Sequence, residues 1–365
     1  NSNIVVVIIE QQLLRLLSFL ITNAVFFGKH FFSKPRHKDD RYYRRIKKGG
    51  GIVVYIHEEG VFSGEKKDWE KILFNTMKPS IFHEDDILLL WSEWQKSFFE
   101  TNFKLKCKTV VSGHPRFDIY KDLPKTNKPY DILVNTSFSY SNHGQGLSFI
   151  FSGKNPSYNF TKDKNYLFES YFSQTSSQSW IEKLVFRIAS TFPNKIIILR
   201  PHPSENLDHY KTLFKTIRNV KVFRDEPIEN ALSKSKAVIQ VGCTTSIEAF
   251  LANIPCYTSY EYGANRARIT KDLSIDLPIH SIEEIFKSKS SALISDEIIS
   301  KYSNLVLKNL DPQHSSTDQV ANILHQSSAS QNGYRVSFII SIIILTSLVY
   351  LILYWPIKIL YYVSK

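Results

Sequence analysis

Short, nearly continuous apolar runs separated by polar turns recur along the chain. In its first third they are NIVVVII (3–9), GIVVYI (51–56), DILLLW (86–91) and KTVVSG (108–113). Runs that are apolar at successive rather than alternate positions suit a parallel sheet covered on both faces. Between them, Leu13–Phe27 and Lys66–Met77 read as helices. Glu10, Arg15 and Asn23 interrupt the N-terminal apolar stretch, so it reads as a buried strand and a core helix, not a signal peptide. The polar, proline-punctuated stretch DLPKTNKP (122–129) reads as a linker and closes a first domain over residues 1–125.

A second domain follows over 129–325. Its strands are YDILVNT (130–136), NKIIILR (194–200), NVKVF (219–223), KAVIQVG (236–242) and PCYTS (255–259). Helices are predicted at Gln178–Thr191, Leu207–Arg218, Ile228–Ser233 and Ser246–Ala252. Strand alternating with helix is the pattern of a doubly wound α/β domain. Ser137–Ser177, rich in Ser, Asn, Tyr and Gly, reads as a long polar loop of the kind that carries function. HQSSASQNGY (325–334) reads as a tether to the last feature, VSFIISIIILTSLVYLILYW (336–355). These twenty residues carry no charge. As a helix they span about 30 Å, the thickness of a bilayer core, with Tyr350, Tyr354 and Trp355 at one end. A transmembrane helix is expected there. Arg335 on one side and Lys358 and Lys365 on the other leave its orientation open.

Composition changes this picture little. Apolar residues make up 43% and charged residues 22%, as in a globular protein with a large core. Cys107, Cys243 and Cys256 are too few and too scattered for a disulfide framework or a zinc site. The chain begins at Asn1, which suggests an incomplete N-terminus. The net charge of +12 is uneven: nine Lys or Arg face two Asp between Lys29 and Lys48. Such a segment is either a solvated basic loop or a contact for anionic lipid or a phosphorylated acceptor. No recognition motif for nucleic acid accompanies it.

Three segments can carry chemistry. Leu199-Arg200-Pro201-His202-Pro203-Ser204 follows the apolar run IIIL, at the strand end where open α/β sheets bind ligands. Arg200 can pair with a phosphate, and His202, flanked by prolines, can donate to a phosphate leaving group. Gly242-Cys243-Thr244-Thr245-Ser246-Ile247-Glu248 links a strand to a helix. There Gly242 allows a tight turn, and Thr244, Thr245 and Ser246 can cap the helix or offer hydroxyls to an anion. Glu248 can accept hydrogen bonds from a ribose. His57-Glu58-Glu59-Gly60 ends the strand GIVVYI, where a carboxylate can take a proton from an acceptor hydroxyl. No Asp-x-Asp pair and no His/Cys cluster of ligand spacing appears, so no metal and no other cofactor is expected.

Glu58-Glu59-Gly60, His202-Pro203 and Thr244-Thr245-Ser246 together resemble the motifs of bacterial sialyltransferases and Kdo transferases. The layout is closer still to bacterial surface carbohydrate biosynthesis proteins, through Glu10, Trp91 and Gly113-His114-Pro115-Arg116-Phe117-Asp118. That resemblance covers about residues 3–285. It implies a GT-B fold of two doubly wound Rossmann-like domains, and inverting, metal-independent transfer from a CMP-activated acidic sugar. It implies Glu58 as general base with Glu59 as fallback, and His202 acting on the donor phosphate. Arg200, Pro203, Gly242, Thr244, Thr245 and Ser246 would line the nucleotide, with Glu248 on its ribose. His114-Pro115 reads as structural. The expected partners are a nucleotide-sugar donor, a glycan or glycolipid acceptor and membrane lipid, but not nucleic acid. The expected location is a bacterial inner membrane, single-pass, with the catalytic part cytoplasmic. Three alternatives stand beside this: a UDP-sugar 2-epimerase, a glycerophosphotransferase of related fold, and a non-catalytic membrane scaffold.

Overall fold

The computed structural model describes residues 21–29, 31, 41–56, 79–123, 127–152, 160–241, 243–258, 275–276, 286, 311 and 313–329. They form two compact units, each built on a parallel sheet. Of the described residues, those from 21 to 113 group with 317–329, and those from 114 to 316 form the second unit. The division thus falls at Gly113/His114, ahead of the linker expected at 122–129.

The first unit holds β1 (Val25–Gly28), β2 (Ile52–Ile56), β3 (Ile87–Leu90) and β4 (Lys108–Val111), paired in that order and all parallel. Three of the four lie inside expected runs. β1 corrects the reading of Leu13–Phe27 as one helix, since Val25–Phe27 pair with Ile52–Val54. Asn23, with φ 50, sits just before β1, and β-branched and aromatic side chains favour the pleated surface that follows. On one face Ile52, Val54, Ile56 and Leu89 pack under Val320, Ile323 and Leu324 of α8 (Ser316–Ala329). This helix runs through residues expected to open the tether at 325. Apolar residues at helical spacing face the sheet there, so the chain continues as helix. On the other face Tyr55 meets Phe82 edge-on at 5.7 Å.

The basic cluster is partly structural. Arg41–Lys48 forms helix α1, with Tyr42, Tyr43 and Ile46 buried. It ends in a Schellman turn: Gly51 N–H bonds Ile46 O at 2.9 Å and Gly50 N–H bonds Lys47 O at 3.0 Å. Gly50 holds φ 72, a left-handed value that glycine takes at little cost. Asp86, fully buried, accepts from Lys47 Nζ at 2.8 Å, from Val53 N at 2.9 Å, from His83 N at 2.9 Å and from the Tyr43 hydroxyl. One carboxylate therefore joins α1, β2 and the turn before β3.

The second unit carries six parallel strands: β5 (Ile132–Asn135), β6 (Ile197–Arg200), β7 (Val220–Val222), β8 (Val238–Gln240), β9 (Cys256–Thr258) and β10 (Ile275–Asp276). The spatial order is β10-β9-β8-β5-β6-β7. Numbered within the unit this is 6-5-4-1-2-3, the dinucleotide-fold order reversed, with its switch point between β5 and β8. Between the strands lie α3 (Leu147–Phe151), α4 (Phe160–Thr191), α5 (Leu207–Leu213), α6 (Ile228–Ser233) and α7 (Thr245–Leu251), while α2 (Glu93–Asn102) belongs to the first unit. The core joins Ile132, Val134, Ile197, Leu199 and Ile239 to Ile181, Val185 and Ile188 of α4.

Helix α4 corrects the reading of Ser137–Ser177 as loop, because it begins at Phe160, about five turns ahead of the helix expected from Gln178. Its Ser and Thr hydroxyls turn back onto their own helix, as Thr175 does to Tyr171 O and Ser177 to Ser173 O. Gln174 and Gln178 hold the loop after β5 through Tyr140 N at 2.7 Å and the Ser141 hydroxyl at 2.7 Å. A polar sequence can thus be helix when its polar groups are consumed locally. Among the described residues no helix is long and apolar enough to cross a membrane. Residues 336–355 lie outside the described residues, as do Ile4–Ile9 and Lys66–Met77.

Asp86→Ala should destabilise the first unit by about 3–5 kcal/mol, because the Val53 and His83 N–H groups and the Tyr43 hydroxyl lose an acceptor and Lys47 keeps only the exposed Asp85. Lys47, whose side chain is only 8% exposed, would lose its buried partner. The shift in the urea midpoint against the parent chain measures it. A change below about 1 kcal/mol would show that Asp86 does not organise the unit.

Candidate active site

The last residues of four adjacent strands are polar and in register: Thr258, Gln240, Asn135 and Arg200 on β9, β8, β5 and β6. The strands themselves are apolar and buried, so the polar row stands at the carboxyl edge of the sheet, across the switch point. Ligands of open α/β sheets bind in this crevice. Gln240 and Thr258 are fully buried, and Asn135 is 5% exposed. Asn135 Nδ2 donates to Thr245 Oγ1 at 3.0 Å, which links β5 to α7 across the switch point. Gln240 Oε1 accepts from Cys243 N at 2.7 Å and holds the turn into α7.

Two loops leave this edge. The one after β6 carries His202, whose ring is exposed. Its Nδ1 accepts from Ser204 N at 3.2 Å and lies 2.7 Å from Ser204 Oγ. The proton of the neutral ring is therefore on Nε2, which can donate. Desolvation by the surrounding protein, then Arg200 and Arg224, hold the His202 pKa below its ordinary value.

The loop is pinned by Glu205, 1% exposed. This carboxylate accepts from the Thr136 hydroxyl at 2.8 Å, from His202 N at 2.9 Å and from the Tyr210 hydroxyl at 2.7 Å. It thereby ties the end of β5, the His202 turn and α5 together. Burial raises its pKa against the pull of those donors. Arg224, just beyond β7, adds bonds from one nitrogen to the carbonyls of His202, Pro203 and Glu205, at 3.3, 3.2 and 2.8 Å. Gly144 N bonds Ser204 O at 2.8 Å, so the loop after β5 braces the same turn.

The second loop leads from β8 into α7. Thr244 is half-buried at the helix start and makes no side-chain cap. Thr245 and Ser246 are buried: Thr245 serves Asn135, and the Ser246 hydroxyl bonds Cys243 O at 3.2 Å. The expected capping role is not made: Thr245 and Ser246 have partners within the fold, and Thr244 at the N-cap makes no side-chain cap bond. Of the three, Thr244 is the one left open to solvent. Glu248 is 7% exposed, and Arg116 Nη2 lies 3.7 Å from its Oε1. The Tyr120 hydroxyl also acts on it, favouring the charged carboxylate. Burial pushes the Glu248 carboxyl above the usual range, opposed by Arg116, by Tyr120 and by Arg200. Arg200 thus acts electrostatically on Glu248 and on His202 alike.

The structure therefore gathers Arg200, His202, Pro203, Thr244, Thr245, Ser246 and Glu248 at one sheet edge. Glu58, Glu59 and Gly242 lie outside the described residues. Sequence reading missed Asn135, Glu205 and Arg224, and left Arg116 without a role. Asn135 ends a recognised strand and Glu205 lies three residues after His202, so position offered a signal for both. Nothing local marks Arg224. His114-Pro115, expected to be structural, opens the Pro115–Tyr120 turn, whose Arg116 and Tyr120 act on Glu248.

No family model and no curated relative matches the chain. Among solved structures its fold is similar to a UDP-GlcNAc 2-epimerase from Methanocaldococcus jannaschii in complex with UDP-GlcNAc and UDP. That likeness has 14% identity and TM-score 0.46, over 83% of this chain and 75% of that one. It is also similar to a UDP-GlcNAc 2-epimerase from Neisseria meningitidis bound to UDP-GlcNAc, with 12% identity and TM-score 0.48 over 86% and 79%. A third is the wall teichoic acid polymerase TagF, with 11% identity and TM-score 0.49 over 87% and 94%. At such identities the likeness assigns no role to any residue.

His202 should titrate below the ordinary 6.5 in the free protein, read from its ring signals by NMR. With a folded-state pKa below the unfolded one, its contribution to stability is full above the unfolded value. That contribution is lost as pH falls through the folded value. Arg200→Gln should raise the His202 pKa, because Arg200 is one of the charges holding it down. A His202 that titrates at or above 6.5 would remove the neutral-donor assignment.

Proposed function

We propose that this chain is a nucleotide-sugar-dependent glycosyltransferase of surface carbohydrate synthesis. The observation that carries the reading is the polar row at the switch point, with a cationic, donating half on one side and a buried carboxylate on the other. Arg200 and the Nε2–H of His202 suit phosphate oxygens. Glu248, buried and held by donors, suits the hydroxyls of a ribose. A neutral imidazole that donates a hydrogen bond can relieve charge on a departing phosphate while keeping its proton.

The motif resemblance supports the finer parts of the proposal. Glu58, with Glu59 as fallback, would deprotonate the acceptor hydroxyl, and the anomeric centre would invert. The reaction would need no metal, and turnover is expected to survive EDTA. The donor would be a CMP-activated acidic sugar. Residues 336–355 would anchor the chain in a bilayer, with the catalytic part on the cytoplasmic side where nucleotide sugars are made. The same nucleotide half would serve a UDP-sugar 2-epimerase. The two guanidinium groups near His202 favour that second reading, since a pyrophosphate carries two charges. Product analysis separates the two: an epimerase converts the nucleotide sugar with no acceptor present.

His202→Ala should lower kcat by about 10²–10⁴-fold and also weaken nucleotide binding, because the ring would touch the phosphate. Glu58→Gln should lower kcat by a similar factor with donor affinity nearly unchanged, because the base acts on the acceptor. Turnover and equilibrium nucleotide binding, measured for both variants, check this. Full activity in both would remove the catalytic assignment. Loss in Glu59→Gln alone would move the base by one residue.

A further inference from the structure

Arg200 ends β6 and Arg224 lies two residues beyond the neighbouring strand β7, where it bonds carbonyls of the His202 turn. Each is anchored by backbone carbonyls. Arg200 donates through Nε and Nη2 to Glu226 O at 3.4 and 3.3 Å, and Arg224 donates through one terminal nitrogen to three carbonyls. Among the described residues neither forms an ion pair. The nearby carboxylates are engaged elsewhere. Glu226 pairs with Lys234, Glu248 faces Arg116, and both Glu205 oxygens are taken by the Thr136, Tyr210 and His202 donors.

Carbonyl bonds orient a guanidinium without cancelling its charge. A carboxylate partner would do both. Each arginine also keeps donors that no described residue uses, since Arg224 spends one nitrogen on the turn. The half-buried setting keeps these charges only partly screened. The turn that Arg224 holds also offers the Nε2–H of His202, since its Nδ1 accepts from Ser204 N.

We propose that Arg224 and Arg200 form a two-anion site, in which Arg200 and His202 take one anionic group of the ligand and Arg224 takes a second. This rests on the nucleotide-sugar reading and narrows its donor. The second group is either the other phosphate of a pyrophosphate-linked donor or the carboxylate of an acidic sugar on a single phosphate. A neutral sugar on one phosphate would leave Arg224 unused. Arg224 is then a specificity residue for the charge of the donor, beyond its hold on the turn.

Calorimetric titration of the full chain in detergent with UMP, UDP, CMP, CDP, CMP-N-acetylneuraminate and inorganic pyrophosphate tests this, in the parent, Arg224→Gln and Arg224→Lys. Gln keeps an N–H donor toward the carbonyls without the charge, and Lys keeps the charge without the fork. The parent should bind at least one two-anion ligand about 10-fold or more tightly than its one-phosphate counterpart. Arg224→Gln should weaken that ligand by about 10- to 100-fold and the monophosphate by less than about 3-fold. Arg224→Lys should fall between. Preference for UDP or CDP identifies a pyrophosphate. Preference for CMP-N-acetylneuraminate over CMP, with CDP no better, identifies a carboxylate.

In Arg224→Gln the His202 signals should remain sharp and its pKa should rise, which separates loss of charge from loss of the turn. If Arg224→Gln weakens mono- and two-anion ligands equally, or neither, the two-anion site is wrong although nucleotide binding stands. If pyrophosphate binds and needs Arg224 while no nucleotide binds, the site stands and the nucleotide reading fails.

Discussion

A parallel strand buried on both faces can present chemistry only at its ends, and this constraint shapes both units. The interior positions of β5, β6, β8 and β9 are committed to the core, since a polar group there would lose hydration without finding partners. Asn135, Arg200, Gln240 and Thr258 each occupy the first position at which a polar side chain, even a buried one, finds a hydrogen-bond partner. Parallel pairing puts these positions at the same edge, and the 6-5-4-1-2-3 order opens a crevice there between β5 and β8. The loops that follow inherit their positions from the strands.

Two buried carboxylates at this edge meet the cost of burial in different ways. Glu205 collects hydrogen bonds from three segments and so becomes a fixed point for the His202 turn. A carboxylate with such partners makes the surrounding backbone stiff, because moving any one segment strands a donor. Glu248 has looser company: an arginine at 3.7 Å, beyond an ordinary hydrogen bond, and one tyrosine hydroxyl. The first arrangement suits scaffolding. The second leaves acceptor capacity for hydroxyls brought by a ligand. Asp86 in the first unit repeats the scaffolding solution, with Lys47 in the place of a neutral donor.

The arginines show the converse economy. A guanidinium tied to carbonyls is held in place while its charge stays available, and Arg200 and Arg224 are both treated this way. Their field acts on His202, favouring the neutral ring, and the Ser204 amide selects its Nε2 tautomer. The result is a donor set of two cations and one neutral N–H on a turn that Glu205 keeps rigid. Preorganised donors of this kind stabilise charge that develops on a ligand, because they need no reorganisation when it appears.

Much of this architecture follows from local sequence. GIVVYI, DILLLW, DILVN, KIIILR and KAVIQV are strands because their apolar runs have strand length and turn-forming ends, and each was recognisable alone. Arg200 and His202 were legible for the same reason: they follow an apolar run directly. Other features depended on what each segment meets. Val25–Phe27 could be helix or strand until β2 lay beside it, and the polar start of α4 needed its own backbone and the β5 loop to absorb its hydroxyls and amides. Glu205 reads as an ordinary surface residue until Thr136 and Tyr210 close over it. Arg116 and Glu248 are far apart in the chain, and so are Arg224 and the carbonyls it grips only in part: their meeting is set by strand order and register. Periodicity determines which residues must be buried, since that depends on each side chain and its near neighbours. Which polar residues share a site depends on the order in which strands pair, and that is a property of the whole sheet.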